Sequence, residues 1–471
     1  IHMRNGCEKS GAPESGNAAV YDRSALDFKP VEYTAEMQKA GYTILFPPMS
    51  PIHFELLEAA FNAAGYKAEM MTAEGAEVID LGLKYCNNDA CYPALIVIGQ
   101  FMEAVLSGRY DTHRLALIMS QTGGGCRASN YIGLIRRALE LAGYGYIPVI
   151  SLNVSGMEHH SGFTFNTSIV MKSMEALYLG DTLNRVLLRM RPYELGPGSA
   201  DALAAEWKGK CIEVLTASGI AFGAYKRLIR KMVADFDALP INEALKKPKV
   251  GIVGEILVKY MPAANNHLVE QLEAEGAEAS LPGIIGFLEY CFENDIYRST
   301  YLGLPKKKKY TAKLVLSFLS FMSREMRRAL EASTHFTPPE RIEDIMSAAE
   351  EVISIGNQTG EGWYLAGEMV SLIKHGVNNV VCTQPFGCLP NHIAGKGIIR
   401  KLKSLYPDSN VIAIDYDPSA SRVNQLNRIK LMLDSIEAEE REAEKAHDRS
   451  EAAESVSEAA AEPDERAVRR K

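Results

Sequence analysis

The chain has 471 residues, enough for two or three domains with cores of their own, and 47% hydrophobic with 23% charged residues is an ordinary globular composition. Its formal charge of −8 argues against a broad basic face for nucleic acid, and Glu437 to Lys471, with twelve acidic and seven basic residues, carries −5 of it. No apolar run approaches the roughly 20 residues of a membrane span, and eight cysteines without a secretory-type opening fit a reducing, cytoplasmic setting with free thiols.

Residues 1–35 are poor in apolar side chains and read as a flexible leader. A strand is expected at Tyr42 to Pro48 ("YTILFPP"), then an amphipathic helix ("HFELLEAAFNAAGY") closing on Gly65. "EVIDLG" (Glu77 to Gly82) reads as another strand, followed by the helix "YPALIVIGQFMEAVLSGRY", the strand "RLALIMS", the helix "NYIGLIRRALELAGYG" and the strand "IPVISLNV". This alternation over 36–165 predicts a parallel α/β domain covered on both faces. Residues 166–245 are mainly helical in pattern. A second α/β cycle over 246–433 opens at "KPKVGIVGEI" (Lys247 to Ile256) and continues through the helix "NNHLVEQLEAEG" and the strands "VNNVVCTQ" and "NVIAIDYD". Its helical excursion carries Lys306 to Lys309, read as a solvated loop. Residues 434–471 read as a charged, disordered tail. The fold class expected is α/β, with two doubly wound, flavodoxin-like parallel-sheet domains and a helical insertion.

The stretch "IMSQTGGGCRASNYIGLIRRAL" breaks a strand into three glycines and a cysteine before a helix. Phosphate loops are built that way. Yet a Walker loop needs a Gly-Lys-Ser/Thr ending, and a dinucleotide fingerprint needs a third glycine where Ala128 stands. The cysteines offer a better pattern. Cys91 in "KYCNNDACYPALIVIGQ", Cys126, and Cys388 in "QPFGCLPNHIAGKG" all stand just before a helix, Cys126 and Cys388 directly after strands. Ligand sites gather at the carboxyl edge of a parallel sheet, and a helix N-terminus favours a thiolate. Gly124 and Gly125 then supply room and N–H donors. The spacings Cys86-x4-Cys91 and Cys382-x5-Cys388, with Cys126 alone, contain no C-x-x-C pair, which speaks against zinc ribbons and ferredoxin-type clusters. Thiols from separate loops leave three readings open: a cluster held between domains, unliganded structural cysteines, or thiol catalysis. Cys211 and Cys291, inside helical patterns, read as buried small hydrophobes.

The segments "YTILFPPMSPIHFELLEAAF", "KYCNNDACYPALIVIGQ", "SQTGGGCRASNYIGLIRRAL", "GEGWYLAGEMVSLI", "QPFGCLPNHIAGKG" and "AIDYDPSASRVNQLNRIKLML" together resemble the iron–sulfur reductase portion of the BcrA/BadF/HgdB superfamily. The resemblance runs from about Tyr42 to Leu433. It is nearest to proteins described as CoA-substrate-specific enzyme activases, and more distant to 2-hydroxyacyl-CoA dehydratase subunits and double-cubane cluster proteins. It implies a low-potential cluster that takes single electrons from a dimeric, ATP-hydrolysing activator carrying its own [4Fe–4S] cluster. It also implies cluster ligation by Cys91, Cys126 and Cys388, with Cys382 as a fourth ligand and Cys86 a weaker one, in a [4Fe–4S] or double-cubane [8Fe–9S] centre. No ATPase signature stands in this chain, so ATP enters only through that partner, and homo- or hetero-oligomers are expected. A 2-hydroxyacyl-CoA dehydratase acting on an acyl-CoA, or an electron or cluster carrier without turnover, are the alternative functions.

Other residues follow from position. Glu255, ending a strand at the crevice, is a candidate proton carrier. His392, one turn after Cys388, is placed to reach a cluster sulfur, and Arg127 to offset cluster or phosphate charge. His159 and His160 point apart, Trp363 reads as core, and Asp415 and Asp417 as helix initiators.

Overall fold

The computed structural model describes residues 30–87, 90–121, 126–152, 158–164, 166–217 and 222–436. The leader to residue 29, the tail from 437, and the glycines at 123–125 lie outside the described residues. Two four-stranded, all-parallel sheets form the frame. The first contains β1 (Thr43–Phe46), β2 (Lys67–Met70), β3 (Leu115–Ser120) and β4 (Val149–Leu152), in the order β2-β1-β3-β4. The second contains β5 (Lys249–Gly254), β6 (Glu278–Ser280), β7 (Asn379–Pro385) and β8 (Asn410–Tyr416), in the order β6-β5-β7-β8. The two orders are the same, so each sheet has its topological switch point between its first and third strands. Both β1 and β3 are buried almost throughout, as strands covered on both faces must be.

The sheets share one apolar core, in which Leu45, Leu117 and Val149 of the first meet Ile252, Val381 and Ile414 of the second through helix Tyr92–Leu106. Helices Thr167–Met190, Ser199–Thr216 and Phe222–Asp237 make the expected helical segment. Its core also takes in Leu319, Met322, Met326 and Leu330 from helix Lys306–Glu331, so the excursion of the second module completes the helical layer. A buried polar chain ties that layer to both sheets. Ser50 Oγ lies 2.8 Å from His53 Nδ1, and His53 Nε2 lies 2.8 Å from Asp181 Oδ1. Asp181 also accepts from the amides of Ile284 and Ile285 at 2.8 and 3.1 Å. The serine sits 7% exposed after β1, and the chain of three acts as a strap.

Three expectations are corrected. "EVIDLG" is helix Ala76–Tyr85, because Val78 and Gly82 turn inward while Glu77, Asp80 and Lys84 face water, a 3.6-residue period rather than a twofold one. Gly82 and Gly99 are where this helix meets Tyr92–Leu106, since a Cβ on either would enter the main chain of the other helix. The sheet position goes to β2, too short and mixed to signal itself. Lys306 to Lys309 open a helix rather than a loop, and Cys291 is exposed on helix Ile285–Tyr301, whereas Cys211 is buried. Among the described residues no helix is long and apolar enough to cross a membrane.

Candidate thiol and carboxylate site

Three cysteines occupy the same local backbone position. Cys91 is the N-cap of helix Tyr92–Leu106, Cys126 of the 3₁₀ turn Arg127–Asn130, and Cys388 of helix Leu389–Ala394. Each has extended backbone angles before the helix begins, and Pro93 and Pro390 fix the first turns after Cys91 and Cys388. Cys126 and Cys388 follow β3 and β7, the strands beside the two switch points. Cys91 comes from the turn of the helical hairpin, with Cys86 capping the preceding helix at its C-terminus.

Two carboxylates face the same cleft. Glu255 follows β5, is 7% exposed, and accepts from Val258 N at 2.8 Å. Glu361 is equally buried and accepts from Ile256 N at 3.0 Å and from Asn391 Nδ2 at 3.2 Å. Asn391 Nδ2 is also 3.2 Å from the Cys388 sulfur. Tyr131 OH, fully buried, is 3.1 Å from the Cys91 sulfur.

Electrostatics join these groups into one site. Burial, and then its neighbour Glu361, push the Glu255 carboxyl up to about 8, and burial raises Glu361 as well. Burial also raises all three thiols, Cys91 to about 11 and Cys388 to about 12. Glu255 reinforces the effect on each of them, Glu361 reinforces it on Cys126 and Cys388, and Cys126 acts on Cys91. The expected lowering by helix N-termini is present, since amides of Ala94 and Ala128 pull the other way, but burial outweighs it. The cleft is thus lined at pH 7 by neutral thiols and a protonated Glu255, with the Glu361 carboxyl beside it held above its ordinary range.

Cys382 is set back from this edge. It is 0% exposed in the apolar core with Leu365 and Ala366, beneath Gly395, and Cys388 is its nearest titrating influence after burial. Arg127 is exposed on the turn after Cys126. His392 directs its ring to Gln384, at 3.5 Å, and its partner among the described residues is that amide rather than a sulfur. Gly124 and Gly125 lie outside the described residues. His160 is a core residue that accepts from Tyr33 N at 3.1 Å, and Trp363 is buried with its N–H on Asn294. Neither aspartate opens a helix as expected: Asp417 accepts from Ser419 N at 2.8 Å in a turn, the helix begins only at Arg422 with Ser421 accepting from Asn424 N, and Asp415 pairs with Lys396 at 3.0 Å.

Glu361, Asn391 and Tyr131 were not singled out by sequence reasoning. Asn391 stands three residues after Cys388, a helical spacing that returns its side chain to the cap, and this was the available signal. Among the described residues no group of three or more His, Cys, Asp or Glu side chains gathers around a single metal ion. No protein-family model matches the chain, and no curated protein matches it.

Proposed function

We propose that the chain is an iron–sulfur reductase component, with Cys91, Cys126 and Cys388 as the residues that hold the centre. The supporting observation is the convergence of three N-cap cysteines, from three separate loops, on a cleft that also buries Glu255 and Glu361. The donor set suits such a group. Soft thiols suit iron–sulfur centres, and a multi-iron centre spreads its ligands more widely than one ion does. When bound, the group would supply strongly reducing single electrons to a small substrate.

The chain's own residues would manage protons and orientation. Ligation requires the three thiols to give up their protons, which makes loading pH-dependent. Tyr131 is hydrogen-bonded to Cys91 and would be the donor once that thiol is ionised, and Asn391 donates to both Cys388 and Glu361, so these side chains would orient sulfurs while offsetting charge. Glu255 keeps a proton beside the cleft at pH 7 and so can deliver it to a reduced substrate, with Glu361, itself raised by burial, next to it. Asn391 Oδ1 is buried without a partner among the described residues, an acceptor open to a substrate hydroxyl or N–H. Electrons would come from a separate ATP-hydrolysing activator.

The test is anaerobic reconstitution with ferrous iron and sulfide, then addition of a reduced activator of this class with ATP. ATP-dependent bleaching of the visible absorbance is expected. Uptake of iron without bleaching would leave a carrier, and no uptake at all would remove the proposal.

A further inference from the structure

A cavity of about 620 Å³ lies away from the cysteines, between the helical layer and the second sheet. It is of a size that takes a metabolite. One wall is basic. Arg185 stands one turn beyond Asp181 on helix Thr167–Met190, and Arg327 faces it from helix Lys306–Glu331.

These two guanidinium groups are close enough to repel each other, yet among the described residues neither makes an ion pair. Arg185 donates to the carbonyl of Thr337 at 3.3 Å, and Arg327 to that of Pro339. The carboxylates nearby are otherwise engaged. Asp181 holds His53 and two amides, and Glu340 lies 3.2 Å from His375. Burial and then Glu343 raise another lining carboxyl, Glu289, to about 7, so at neutral pH it supplies only part of a compensating charge. Asp181 and Glu340 act on Arg185 more strongly than Arg327 repels it, but neither carboxylate pairs with it directly, and a forked guanidinium pair matches an oxyanion.

We propose that this cavity binds a small organic oxyanion, its carboxylate or phosphate held between Arg185 and Arg327 and its other end, bearing hydroxyl or amine groups, toward Glu289. The site is independent of the cleft at Cys126 and does not rest on the function proposed there. Carboxylate and phosphate share the recognising chemistry, and the probes below separate them.

The experiment is calorimetric titration of the full chain at low ionic strength with inorganic phosphate, pyrophosphate and malonate. At least one should bind saturably, and the series that binds identifies the oxyanion. Arg185→Gln and Arg327→Gln should each weaken that binding about tenfold or more, while Arg137→Gln, on an exposed helix face of the first module, leaves it unchanged. Thermal melting gives a second readout. The anion that binds should raise the melting temperature of the parent chain and not that of Arg185→Gln. The proposal is overturned if no probe binds, if all three variants weaken binding alike, or if neither cavity variant weakens it. Equal stabilisation of the parent and of Arg185→Gln by the anion also overturns it.

Discussion

The phenol oxygen of Tyr131 lies 3.1 Å from the sulfur of Cys91, joining two helices that both start at the cleft. A buried phenol beside a buried thiol donates its proton to the developing thiolate. Tyr131→Phe should therefore make Cys91 harder to ionise. Alkylation of Cys91 in the metal-free chain at mildly alkaline pH, followed by peptide mass analysis, should slow about 3–10-fold. An unchanged rate would mean that the hydrogen bond does not reach the thiolate.

Glu255 carries a pH signature. In the folded chain it keeps its proton up to about 8, whereas an ordinary glutamate loses it near 4.5. The folded state then binds more protons between those values, so the contribution to stability is complete below the lower one and is lost as pH rises through the upper one. Glu255→Gln cannot lose a proton. Its melting temperature should fall less than that of the parent between about pH 5 and about pH 9, measured by calorimetry. Parallel curves would show that Glu255 is charged throughout.

Lys259 and Glu368 form an ion pair at 2.8 Å with both side chains 3% exposed, joining helix Ile256–Tyr260 behind Glu255 to helix Gly362–Lys374 behind Glu361. Removing one partner leaves a buried charge. Lys259→Met should lower unfolding free energy by about 3–5 kcal/mol, and Lys259→Met/Glu368→Leu should recover most of it. Urea denaturation measures both, and a double variant no better than the single would contradict the account.

Gly99 sets how closely helix Ala76–Tyr85 lies on helix Tyr92–Leu106. A Cβ there would overlap the carbonyl of Val78, which the main chain cannot yield cheaply. Gly99→Ala should cost about 1–3 kcal/mol and, by parting the hairpin that carries Cys86 and Cys91, raise the alkylation rate of Cys91. Loss of stability with no change at Cys91 would separate the hairpin from the site.

The architecture was legible where the pattern was long. β1, β3, β5, β7 and β8 follow from short apolar runs between helical periods, and with them the carboxyl edge that gathers Cys126, Glu255 and Cys388. β2 and β6 were not legible, because four and three residues carry too little pattern, and "EVIDLG" was misread because it holds less than two helical turns. A sequence shows that a cysteine stands before a helix but not how deeply it is buried. The thiols were expected to be acidified for that reason, and burial with two carboxyls raises them instead. The same limit applies to Cys382, where strand position gave no hint of the apolar surroundings, and to Tyr131, which meets Cys91 across 40 residues.

The most direct test of the central claim is the iron and acid-labile sulfide content, per chain, of the anaerobically reconstituted protein and of Cys126→Ser, with Cys291→Ser as the exposed control. Stable uptake is expected for the parent and for Cys291→Ser, and loss of most of it for Cys126→Ser. Full iron and sulfide in folded Cys126→Ser would contradict it, and so would a parent chain that takes up none.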